Sequence, residues 1–303
     1  MSIRFIPLLV LWSTIAFSIW NCSQSQPDRV AQLQAEIEML EAQMAQSPSP
    51  QKADSLAAKC QALAPLLASD RKAMLETWHK AAEALYYAKR YRSAADLLKQ
   101  LLHDYPDAPN ALQNALLLAT IYQQLNDTLQ QLALEQCIGI AFKGNPPADS
   151  LKAHTQKHLS VPQQLAQLGK ELYDIESQQI DYKKVAAFIE ISELYAALLP
   201  QDSLSPVLLL RAAEAARLVK QFDKAHVLYE WIVNRYPDHP KTADAVFMIA
   251  FTWDNDMGQY DSARVWYERF LHTYPTHGFA DDAQILLQNL GKSPEELIKT
   301  LEQ

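Results

Sequence analysis

Two stretches near the carboxyl end superimpose when one is shifted by 38 positions, which restricts the chain to stacked, repeated units. Ala225 falls on Ala263, with Phe222 and Tyr260 three residues before and Tyr229 and Tyr267 four after. Ile232 and Phe270 follow, and Tyr236-Pro237 and Tyr274-Pro275 close both segments. Upstream, the same shift lays Leu209, Ala212 and Ala213 on Phe247, Ala250 and Phe251. A third copy runs through Trp78, Ala81, Ala82, Tyr91, Ala94, Leu98, Leu101 and Tyr105-Pro106.

Spacings of three and four within each copy describe one face of a helix, so each unit reads as two helices. Small residues such as Ala81, Ala212 and Ala225 let the two helices approach, and the bulky ones fill the space beside them. Proline after tyrosine ends the second helix, because it has no N–H and drives the residue before it out of the helical conformation. Only six glycines occur among 303 residues, too few for the turns of a sheet-rich protein. The expected class is all-α.

Between the clear copies the pattern weakens. Ala111 to Leu125 and Leu129 to Phe142 read as a divergent hairpin, as do Leu165 to Glu176 and Tyr182 to Leu199. The prolines and polar residues of 147–163 predict a connector between amino-terminal repeats (51–146) and carboxyl-terminal repeats (164–303). Phe279 to Leu290 predicts an amphipathic helix, and Ser293, Pro294 and Glu296 the capping-box start of a final helix that seals the array.

The amino terminus carries an address. Arg4 precedes an apolar run from Phe5 to Trp20, too short for a comfortable membrane span, and Cys22 follows. The first 21 residues read as a signal peptide, and 22–50 as anchor, short helix and Pro/Ser linker. Val30, Leu33, Ile37, Leu40 and Met44 form a seam of barely two heptads. So short a seam either self-associates weakly or packs on the body. Ser47-Pro48-Ser49-Pro50 predicts a stiff spacer after it.

Net charge is −8 with Lys and Arg scattered, which argues against nucleic acid or anionic headgroups as the main partner. No phosphate loop, nucleophile elbow or zinc-type cysteine pair occurs, and neither cofactor nor metal is expected. His154 and His158 lie four apart without the glutamate of a zinc protease between them, and read as a solvated face. Cys60 and Cys137 read as buried thiols, although an oxidising compartment would allow them to pair.

The repeated pattern resembles the tetratricopeptide repeat. That resemblance implies a superhelix of helical hairpins whose first helices line a concave, partner-binding surface, and a non-enzymatic scaffold. Carried onto this chain, the lining comprises Glu76, His79, Glu83 and Tyr86, then Leu210, Arg211, Glu214 and Arg217, then Met248, Thr252 and Asn255. Ile19-Trp20-Asn21-Cys22 resembles the lipobox of bacterial lipoproteins, which implies acylation of Cys22. The residues after Cys22 lack the acidic run of surface-exported lipoproteins, which implies the periplasmic face of the outer membrane. Ser55, Thr128, Ser150, Ser203 and Ser262 each follow an aspartate, resembling the O-glycosylation motif of Bacteroidota; helix capping is the competing account. Anchor, seam and repeats together resemble the BamD family of outer-membrane assembly lipoproteins and the YbgF/CpoB family of the Tol-Pal system. A glycan-capturing lipoprotein is a more distant resemblance. Envelope proteins or peptides are the partners implied.

Overall fold

The computed structural model describes residues 26–174 and 179–292. Cys22, the signal segment and the expected closing helix from Ser293 lie outside the described residues. The chain is all-α: α1 (Gln26–Gln46), α2 (Pro50–Leu63), α3 (Arg71–Tyr87), α4 (Tyr91–Asp104), α5 (Ala111–Leu125), α6 (Thr128–Ala141) and α7 (Pro146–Thr155) come first. Then follow α8 (Val161–Gly169), α9 (Tyr182–Leu198), α10 (Ser205–Leu218), α11 (Phe222–Arg235), α12 (Lys241–Phe251), α13 (Tyr260–Thr273) and α14 (Ala280–Asn289). Strands β1 (Tyr173–Asp174) and β2 (Gln179–Ile180) pair antiparallel, with Tyr173 opposite Ile180. Consecutive helices pack on one another through most of the array, which builds a superhelix of hairpins.

One backbone motif joins the hairpins. Tyr105, Tyr236 and Tyr274 each cap a second helix with φ near −130°, donating an N–H to Leu101, Ile232 and Phe270 respectively. Their own carbonyls then accept from Ala108, His239 and His277, whose carbonyls accept from Ala111, Thr242 and Ala280. Leu199, before Pro200, makes the same turn through Asp202 and Ser205. In four hairpins, α3–α4, α5–α6, α10–α11 and α12–α13, the first helix ends at a left-handed residue: Lys89, Asn126, Lys220 and Gly258. The second helix begins two residues later in every case. Ala94, Ala225 and Ala263 therefore hold the same place, each the fourth residue of its helix and 0% exposed.

The first helices of the two best copies do not keep the 38-residue shift. From the Leu199 cap to Lys220 the chain advances 21 residues, and from the Tyr236 cap to Gly258 it advances 22. The added residue is absorbed by a π turn at Thr252–Asp256, the usual structural form of a one-residue insertion in a helix. Before that turn the true shift is 37, as the hydroxyls show: Ser205 donates to Leu199 O, and Thr242 to Tyr236 O.

Three other expectations are corrected. The Ser-Pro stretch is a tight turn: Ser49 caps α2, Pro50 opens it, and Lys52 Nζ donates to Gln43 O and Ser47 O at the end of α1. Residues 147–163 are largely helical, since α7 packs on α6, where Gly139 permits the approach; a Cβ there would sit 2.8 Å from Lys152 Cβ. The helix expected from Leu165 to Glu176 stops at Gly169, a poor helix former, and the chain enters the β ribbon.

At the centre, α9 is buried nearly all round, as its Val, Phe, Ile, Leu and Ala content requires, and packs on α4, α6, α8 and α10. Its Glu190 carboxylate accepts from Lys99 Nζ at 2.7 Å, Tyr122 OH at 3.1 Å and Gln130 Nε2 at 3.2 Å. This pins the helix to α4, α5 and α6. The early and late repeats share one core.

Candidate partner-binding surface

On the early first helix, α3, Glu76 and Glu83 are exposed and His79 and Tyr86 half-buried. His79 is engaged on both sides, with Nδ1 2.6 Å from Asn114 Oδ1 on α5 and Nε2 3.5 Å from Glu83 Oε1. The Glu83 carboxylate raises the His79 pKa against the opposing effect of burial, with Asn114 adding to the rise. His79 lowers that of Glu83 in return. Tyr86 lies beside Tyr91, ring centroids 5.6 Å apart.

On the late first helices, α10 and α12, the structure brings part of the expected lining together. Arg217 Nη2 lies 2.6 Å from Asp256 Oδ2, and its guanidinium sits 5.1 Å from the Phe251 ring centroid. Asn255 Nδ2 donates to the same aspartate at 3.0 Å. Arg211 and Glu214 are accessible, and Met248 is half-buried. Desolvation raises the Glu214 pKa, and Arg211, Arg217 and Lys241 pull it back.

Leu210 and Thr252 do not belong to an exposed lining. Leu210 is 7% exposed and Thr252 0%, its hydroxyl donating to Met248 O. The one-residue insertion explains both. With the shift of 37, Leu210 corresponds to Phe247, also buried, and Thr252 to the buried Ala215. Met248 then corresponds to Arg211.

Sequence reasoning missed three charged neighbours of this face. Asp244 lies 2.7 Å from Lys241 Nζ and 3.3 Å from His277 Nε2, which joins α12 to the turn before α14. Asp244 sits in the first turn of α12, where capping signals normally mask a surface role. It also missed a cleft of about 300 Å³ between α4, α9 and α11, walled by Lys99, His103, Glu193, Lys224 and Trp231. No local pattern marks that cleft, because its walls are 128 residues apart between His103 and Trp231.

The remaining candidates are dispersed. Ser55, Thr128, Ser150 and Ser203 are exposed and Ser262 half-buried. Capping does not account for the set, since Ser55, Ser150 and Ser262 lie inside α2, α7 and α13, and Ser55 Oγ donates to Gln51 O. His154 ends in α7 while His158 follows it, so they share no helix face. Cys60 and Cys137 are free and buried. The seam on α1 is used internally, with Leu33 and Ile37 buried where α1 meets α2. No described helix is long and apolar enough to cross a membrane.

Among curated proteins, none matches this chain. A tetratricopeptide-repeat family profile matches residues 76–108, which span most of α3 and all of α4, and residues 244–277, which span most of α12 and all of α13. Repeats of this kind mediate contacts between proteins and build scaffolds that are typically not catalytic. Two segments of this chain, in α3–α4 and α12–α13, are thus similar to the tetratricopeptide repeat.

Proposed function

We propose that this chain is a lipid-anchored scaffold that gathers partner proteins at the periplasmic face of the outer membrane, in the assembly of envelope or outer-membrane proteins. The observation that carries the reading is the packing of α10 on α12, two first helices that bear the accessible Arg211 and Glu214 and the half-buried Met248. Phe247 stacks on Phe251 and Phe279 and meets Phe270 edge-on, so this face is held rigid for a partner. Cys22 supplies the anchor: each buried methylene of its acyl chains contributes about 0.8 kcal/mol, enough in sum to hold the chain without a spanning helix. The accessible hydroxyls of Ser55, Thr128, Ser150 and Ser203 are carbohydrate attachment points in this reading.

A role as Tol-Pal coordinator drew its support from a self-associating α1, and that seam is occupied by α2. Metabolic palmitate labelling of wild type and Cys22→Ala, followed by co-purification, tests the proposal. Label lost with Cys22, together with recovery of barrel-assembly subunits, is the expected result. Equal labelling refutes the anchor, and recovery of Tol-Pal or cell-wall synthases alone refutes the assembly role.

A further inference from the structure

The shortened α8 leaves an unfilled place in the layer of first helices. It has nine residues, against 15 in α5 and 14 in α10. A groove of about 460 Å³ results between α8 and α10. Its floor is apolar, formed by Leu172, Phe188 and Ala215, all under 9% exposed, and Leu218 stands at its rim 42% exposed. An apolar floor open to water favours a partner's side chain over solvent.

The rim decides the partner's charge. Lys170 at the end of α8 and Arg211 on α10 both line the groove, and neither forms an ion pair among the described residues. The other cations nearby are engaged: Lys184 with Glu171, Lys241 with Asp244, Arg217 with Asp256. Glu214 is the one carboxylate on the rim among the described residues, against two cations. In a chain of net charge −8 this is a local positive site.

We infer that the α8–α10 groove receives a partner segment in which a leucine-sized side chain is flanked by carboxylates, the side chain filling the place of the missing turns of α8. The inference rests on the scaffold reading and specifies the partner's chemistry at one part of that surface. The apolar anchor supplies affinity, and Lys170 and Arg211 supply selection by charge.

Fluorescence anisotropy with the full chain tests it, using a fluorescein-labelled peptide with a central leucine pair flanked by aspartates and its counterpart with lysines. The aspartate peptide is expected to bind, and to bind roughly tenfold more weakly to Arg211→Glu or Lys170→Glu, both surface changes that leave the fold intact. Leu218→Ala weakens it as well, and the lysine peptide binds less tightly than the aspartate one throughout. Equal binding of the two peptides, no binding of either, or indifference to Arg211→Glu overturns the inference. Photo-crosslinking from Met248 in cells separates the two levels. Crosslinks that persist when the aspartate peptide fails to bind leave the scaffold standing and remove the groove, whereas their absence removes the scaffold reading too.

Discussion

The indole of Trp231 stands edge-on to the imidazole of His103, ring centroids 4.1 Å apart at 84°. These residues belong to α11 and α4, second helices of two different repeats, and Arg235 Nη1 donates to His103 O at 3.1 Å beside them. The array therefore folds back on itself around α9. Trp231 is 6% exposed, and its Nε1 has no acceptor among the described residues. Trp231→Ala should cost about 3 kcal/mol or more, through lost packing and the cavity left behind. Trp231→Phe should cost far less, since it removes a buried, unpaired donor. Urea unfolding followed by circular dichroism checks both, and equal costs would show that the indole is not the packing element.

Glu190 anchors α9 to three earlier helices, so its loss strands donors that are themselves partly buried. Glu190→Ala is expected to destabilise by about 1–3 kcal/mol, discounted for partial exposure, with Tyr122 and Gln130 losing their acceptor and Lys99 left with the exposed Asp96 alone. The double variant Glu190→Leu, Lys99→Met should be less destabilised than the sum of the single changes. Strict additivity in the double-mutant cycle would show that the pair is not coupled.

His79 links α3 to α5 through a contact that depends on pH. Its pKa is raised above 6.5 in the folded chain, so the linked stabilisation is complete below 6.5 and disappears as pH rises through the raised value. The lowered pKa of Glu83 acts in the opposite sense: its contribution is present above 4.5 and fades as pH falls through the lowered value. The pair is strongest in mildly acidic solution. Its exposed geometry limits it to less than about 1 kcal/mol. In an NMR titration Glu83→Gln should bring the His79 midpoint down toward that of a free imidazole, and an unchanged midpoint would contradict the assignment.

Burial pushes the Cys60 thiol up to about 11 and the Cys137 thiol up to about 12. Thiolate is the reactive form, so neither cysteine should react with an aromatic disulfide reagent in the native protein near about pH 8. Both should react in guanidinium. Rapid modification of the folded chain would show that one of the two sites opens.

Hairpin packing was legible because it is written locally. Ala94, Ala225 and Ala263 sit where two helices touch, and a tyrosine before proline marks each exit, so short stretches of sequence determine both features. α9 was legible as a long second helix for the same reason. The insertion at Thr252–Asp256 was not, because a π turn keeps the helix running and leaves the apolar pattern almost intact while moving the earlier residues by one place. Leu210 and Thr252 were misassigned through that single residue. Likewise α7 was hidden by the prolines that open it, which read as breakers but occupy the first turn, where a missing N–H has no cost. The contact between His103 and Trp231, and the groove beside α8, depend on tertiary closure, which no periodicity encodes.

Site-specific photo-crosslinking in living cells measures most directly whether the first helices form the working surface. Probes at Arg211 and Met248 sample that surface, and a probe at Val265, 62% exposed on the second helix α13, samples the opposite side. Discrete protein adducts from Arg211 and Met248, with none from Val265, are the predicted result. Adducts from Val265 alone, or equal adducts from all three positions, would contradict the account.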